Sequence, residues 1–123
     1  MEFDELSNKV IGCALEVHKK LGPGLLESAY EKCLSFELAN AGLRHEVQKD
    51  LPVEYKGMKL DCGYRTDIII DSEIIIELKT VDGILPIHEA QLLTYMKLSG
   101  VKVGLLINFN VCRLKDGIKR FVL

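Results

Sequence analysis

Four charged residues stand where solvation alone does not explain them. Between Glu73 and Thr80 the chain reads Glu-Ile-Ile-Ile-Glu-Leu-Lys-Thr. In a strand, Ile74, Ile76 and Leu78 share one face, while Ile75, Glu77 and Lys79 share the other. Apolar residues on both faces suit a central strand covered on both sides. A carboxylate and an ammonium placed there are costly unless they are paired or bind a metal. The competing account is an edge strand carrying a solvated ion pair. Asp67 lies ten residues before Glu77. If these segments form a hairpin, directly opposed residues have a constant sum, so pairing 67 with 77 also pairs 70 with 74. That requires a loop of three residues, Asp71-Ser72-Glu73; a two-residue loop would instead put Asp67 on the face of Ile76. With the longer loop, two carboxylates and a lysine meet. The two like charges repel unless a cation sits between them, and hard oxygen donors suit Mg²⁺ or Mn²⁺.

The fourth charge is Glu27. At about 100° per residue it falls inside the arc of Leu26, Tyr30, Leu34, Leu38 and Ala41, so it points either at a site or simply along the first turn of a helix, where the dipole favours an acid. His88, Gln91 and Tyr95 recur at steps that share a helix face. They form either a substrate-facing stripe or a hydrogen-bonded pair with a bystander.

The elements that must carry these residues follow from periodicity. Leu6, Val10, Ala14, Val17 and Leu21 define an amphipathic helix over 4–21, stopped by Gly22-Pro23-Gly24. A second helix runs from about Leu25 to Ala41, closed by Gly42. From Arg44 the period is two: Val47, Leu51, Val53 and Tyr55 read as one strand, Lys56-Gly57 as a turn and Lys59 to Cys62 as its return. Thr66–Ile70 and Glu73–Thr80 form the isoleucine hairpin. Pro86 opens a helix over about Ile87 to Ser99, and strands at Val101–Phe109 and Gly117–Val122 finish the chain. The order ααββββαββ implies a mixed α/β (α+β) fold with helices covering a central sheet.

Composition bounds the rest. The 123 residues are 48% apolar and 28% charged with net charge −2, which fits one globular domain over 1–123. No apolar run approaches the roughly 20 residues of a membrane span. The acidic start, Met1-Glu2-Phe3-Asp4-Glu5, is unlike a signal peptide, so the expected setting is soluble and cytoplasmic, with no membrane partner. A pI of about 5.9 argues against a constitutive nucleic-acid coat. Lys115, Lys119 and Arg120 form a small basic cluster, either a phosphate contact or a solvated end. The four cysteines, Cys13, Cys33, Cys62 and Cys112, have no close pair and read as reduced, mostly buried hydrophobes rather than a zinc site.

Taken in order, Gly24-Leu25-Leu26-Glu27-Ser28-Ala29-Tyr30 is a GxxExxY motif, Asp67 with Glu77-Leu78-Lys79 a D-x9-ExK motif, Gln91 to Tyr95 a QxxxY motif, and Gly104-Leu105-Leu106-Ile107-Asn108-Phe109 follows. Together these resemble the GxxExxY protein family, a branch of the PD-(D/E)xK nuclease superfamily, from about Ala14 to the end. The resemblance implies a restriction-endonuclease-like core and a Mg²⁺- or Mn²⁺-dependent nuclease acting on DNA (or RNA), with DNA the favoured of the two. It also implies roles. Asp67, Glu77 and the Leu78 carbonyl would hold the metal, and Glu27 would complete its shell. Lys79 would orient the attacking water and stabilise charge on the phosphate. Gln91 and Tyr95 would position the substrate or support the site, and His18 would correspond to a first-helix histidine of some such nucleases. Thr66 stands where the superfamily name has proline. Two alternatives stay open: a catalytically silent nucleic-acid-binding or assembly module, and a subunit whose grip on DNA comes from a homodimer or larger nuclease complex through the first helix or the turn near Gly57.

Overall fold

A computed structural model describes residues 3–61 and 63–123. The chain runs α1 (Glu5–Leu21), α2 (Glu27–Asn40), β1 (His45–Asp50), β2 (Val53–Tyr55), β3 (Met58–Leu60), β4 (Arg65–Ile70), β5 (Ile74–Lys79), α3 (Pro86–Ser99), β6 (Val103–Asn108), a 3-10 turn (Leu114–Gly117) and β7 (Ile118–Val122). Five strands form one sheet in the order β1-β4-β5-β6-β7, and β2-β3 form a separate two-stranded ribbon. Among the described strands only the β5–β6 pair is parallel, because α3 carries the chain back across the sheet between them. The expected strand from Arg44 to Tyr55 is two strands. Pro52, between Leu51 and Val53, has no N–H to give a ladder, and β1 joins the main sheet while β2 leaves it. The return strand is β3; Cys62 lies outside the described residues.

β5 is flanked by β4 and β6 and covered on both faces. Ile74, Ile76 and Leu78 pack with Ile68 and Ile70 against Val10, Ala14, Tyr30 and Leu34 of α1 and α2. Ile75 packs with Ile69 and Leu106 against Leu92, Tyr95 and Met96 of α3. Isoleucine on both faces therefore reflects a doubly covered centre, and the edge-strand alternative fails. No helix among the described residues is long and apolar enough to cross a membrane.

The helix ends are set locally. Asp4 caps α1, accepting from the Ser7 N–H at 2.9 Å and the Ser7 hydroxyl at 2.6 Å. These hydrogen bonds, with Arg120 beside it, hold its carboxyl down at about 2. α3 sits close to β6 because position 104 is glycine. A Cβ there would lie 2.6 Å from Met96 Sδ and 3.0 Å from a Leu92 methyl. Gly104→Ala is expected to destabilise the protein by about 1–3 kcal/mol, the usual cost of overpacking. A thermal melt checks this, and an unchanged midpoint would mean that α3 shifts freely.

The cysteines depart from expectation. Cys13 and Cys33 are half-buried and Cys112 is exposed. The C-terminal basic cluster is not one patch either. Lys119 and Arg120 point to opposite faces of β7, as period two requires. Lys119 pairs with Glu89 of α3 at 2.6 Å and Arg120 with Asp4 at 2.7 Å.

Candidate active site

The three-residue loop is present. Ile70 pairs with Ile74, Ile69 with Ile75 and Ile68 with Ile76, and continuing that register sets Asp67 opposite Glu77. Asp71 and Ser72 take left-handed φ values of 45° and 57°, and the Glu73 N–H donates to the Ile70 carbonyl at 2.7 Å. These turn residues match the twist of the strands they join. The carboxyls are laced into the hairpin. Asp67 Oδ2 accepts from the Leu78 N–H at 2.8 Å, and Glu77 Oε1 accepts from the Asp67 N–H at 3.2 Å.

Glu77 is only 4% exposed. Burial, then the charge of Asp67, push its carboxyl up to about 9. Around this pair the protein gathers more acid than base. Glu27, at the start of α2, lies within the field of Lys79, Asp67 and His88 and near the Thr80 N–H; burial is the main reason its carboxyl is raised. The start of α2 is held by the tyrosine of the same motif. Buried Tyr30 stacks on Phe109 with centroids 4.4 Å apart, donates to the Gly22 carbonyl at 2.5 Å and accepts from the Leu25 N–H at 3.2 Å. Among the described residues, no three His, Cys, Asp or Glu side chains close into a group able to hold an ion.

Lys79 reaches from β5 towards α3, its Nζ 3.5 Å from Gln91 Oε1, and Gln91 Nε2 donates to the Tyr95 hydroxyl at 3.1 Å. Burial, then the negative charge of Glu77 and Asp67, raise the Tyr95 hydroxyl. The QxxxY residues thus line up with the lysine. His88 belongs mainly to the helix start, where its Nδ1 accepts from the Leu85 N–H at 3.0 Å. His18 bonds the Val111 carbonyl at 2.8 Å, a structural tie on the other side of the molecule's core from α3.

Three residues of the site were not singled out by spacing. Glu31 lies one helical turn after Glu27, a step that could have flagged it; burial raises its carboxyl, with Asp67 and Glu27 adding to the effect. Gln48 Nε2 donates to Glu31 Oε2 at 2.7 Å and lies 3.5 Å from Asp67 Oδ1. Its backbone is left-handed, φ 51°, in a strand whose register is the same before and after it. Such strain costs about 1 kcal/mol or more and gathers at working sites. Gln48→Gly is expected to leave stability within about 0.5 kcal/mol, since relieved strain offsets glycine's unfolded-state entropy, while lowering any activity of the Asp67 site. A clear drop in melting temperature would make the amide structural instead. Asn108, buried at the end of β6, accepts from the Val81 N–H at 3.1 Å and donates to the Val81 carbonyl at 2.9 Å. It clamps the chain just past Lys79.

The donor set is entirely hard oxygen, and its acids outnumber the neighbouring Lys79. Both features fit a divalent cation of the Mg²⁺ or Mn²⁺ type. Neither a curated protein nor a solved structure matches the chain. The family model of the PD-(D/E)XK nuclease superfamily matches residues 4–121. Over that length Asp67, Glu77 and Lys79 fall on the strands just described and Glu27 on α2, and the chain belongs to the PD-(D/E)XK nuclease superfamily.

Proposed function

We propose that the chain is a metal-dependent nuclease that hydrolyses phosphodiester bonds of DNA. The supporting observation is the hairpin register that sets Asp67 against Glu77 with Lys79 next on the same sheet face. Asp67, Glu77 and the Leu78 carbonyl would hold Mg²⁺ or Mn²⁺, and Glu27 would complete the shell. The ion would polarise the phosphodiester and lower the pKa of a bound water. Lys79 orients the attacking water and stabilises charge growing on the phosphate. Gln91 holds the Lys79 ammonium in place, and Tyr95 holds Gln91. Asn108 fixes the backbone that follows Lys79, so the ammonium keeps its position during attack.

The test is cleavage of labelled DNA in Mg²⁺ or Mn²⁺ by purified wild type and by Asp67→Ala. Cleavage that is lost both with EDTA and in Asp67→Ala supports the reading. Equal cleavage by wild type and Asp67→Ala discards it, and DNA binding without cleavage would leave a silent binding module.

A further inference from the structure

A cleft of about 700 Å³ opens beside Lys79, walled by Val53, Tyr64, Ile87, Gln91 and Tyr95. Lys79 brings a positive charge to it; the rest of the lining is largely apolar and aromatic, and no carboxylate is among the described residues that line it. Its outer wall is Tyr64, 46% exposed. The Tyr64 backbone is anchored, since its carbonyl accepts from the Leu51 N–H at 2.7 Å. Its ring leans on buried Tyr95 at 6.3 Å and 54°. A fixed backbone thus presents an aromatic ring to solvent next to the ammonium assigned to the phosphate.

We propose that this cleft seats one unpaired nucleobase of a single-stranded DNA substrate, stacked on Tyr64, while the adjoining phosphate lies at Lys79. The inference rests on the nuclease reading and names its substrate class. The charge balance favours it. Gripping a duplex relies on many phosphate contacts, but this chain carries net charge −2, and Lys119 and Arg120 are already paired with acids. Stacking needs no net charge and contributes about 1–3 kcal/mol per base. A base still paired in a duplex reaches a walled cleft only by flipping out of the stack, at a cost of a few kcal/mol; a single strand avoids that cost. The cleft's volume lies within the usual range for small-ligand sites, roughly 300–1,000 Å³.

The experiment measures binding of labelled oligothymidine, and of the same strand carrying one 2-aminopurine, to wild type, Tyr64→Ala and Tyr64→Phe in Ca²⁺. Duplex of equal length serves as competitor, and circular dichroism checks the fold. Wild type is expected to bind single strand at least about tenfold tighter than duplex and to quench 2-aminopurine. Tyr64→Ala is expected to lose about tenfold in affinity, about 1.4 kcal/mol, together with the quench. Tyr64→Phe, which keeps the ring, retains both. Duplex bound as tightly as single strand, or full affinity and quench in Tyr64→Ala, overturns the proposal. Duplex cleavage in Mg²⁺ by the same preparation would then leave the nuclease reading standing. A Tyr64-dependent quench with no cleavage of any strand keeps the base seat and removes the nuclease.

Discussion

Lys79→Ala is expected to lower kcat for metal-dependent DNA cleavage by about a hundred- to a thousandfold, the usual effect of removing one preorganised charge donor from a transition state. KM should change little, because the charge that Lys79 meets grows as the phosphate is attacked. The fold should survive. Among the described residues the lysine's side-chain hydrogen bond is the solvent-exposed 3.5 Å contact to Gln91, and surface contacts of that kind contribute little. Lys79→Arg is not expected to restore the rate, since a planar guanidinium cannot take the place of a compact ammonium. Gln91→Ala should give a smaller loss, because it leaves the charge present but less well placed. Steady-state kinetics on one DNA substrate, with melting curves alongside, check the set. A raised KM with kcat intact would make Lys79 a binding cation and take it out of the chemistry.

What the sequence made legible follows from periods and sums. Apolar residues on both faces at Ile74–Ile76 announced a central strand, and the constant sum of paired positions tied Asp67 to Glu77 through the loop length. Both hold in the sheet. Pro52 was a local signal for the break between β1 and β2, but the alternation of Val47, Leu51, Val53 and Tyr55 runs across it. Lys119 and Arg120 are neighbours in sequence, so they cannot share a face of β7, and their partners come from α3 and the start of α1. Gln48 lay beyond reach because its role depends on two long-range juxtapositions. β1 has to pair with β4, and α2 has to bring Glu31 over both. Asn108 is similar: only the parallel β5–β6 pairing puts it beside Val81. Local period places a residue on a face, while topology decides what that face meets.

Metal-free protein is expected to lose stability as pH rises from about 5 to 9, and Glu77 is the main reason. Its carboxyl ordinarily titrates near 4.5, and in the fold burial and the Asp67 charge raise it to about 9. Between those values the folded chain holds a proton that the unfolded chain has released, so the native state binds more protons and stability falls as pH increases. The contribution is fully present below the unfolded value, declines through the window and is gone above about 9. Glu27 and Glu31 are raised in the same direction and add to the slope. The depressed carboxyl of Asp4 has the opposite sign, but it acts below its ordinary value, outside this window. Glu77→Gln keeps the shape and cannot ionise. It is expected to flatten most of the slope and to exceed wild type at pH 8.5 by an amount on the order of a few kcal/mol, the scale of an uncompensated buried charge. Mg²⁺ or Mn²⁺ should do for wild type what the substitution does, by compensating the second carboxylate. Binding should therefore release close to one proton near neutral pH and tighten as pH rises. Melting curves in EDTA across the range, for both proteins, with calorimetry in buffers of different ionisation enthalpy, read each of these. Wild-type stability that is level or rising from pH 5 to 8.5 would show that the two carboxyls are not held together in solution, and the metal site would lose its physical basis.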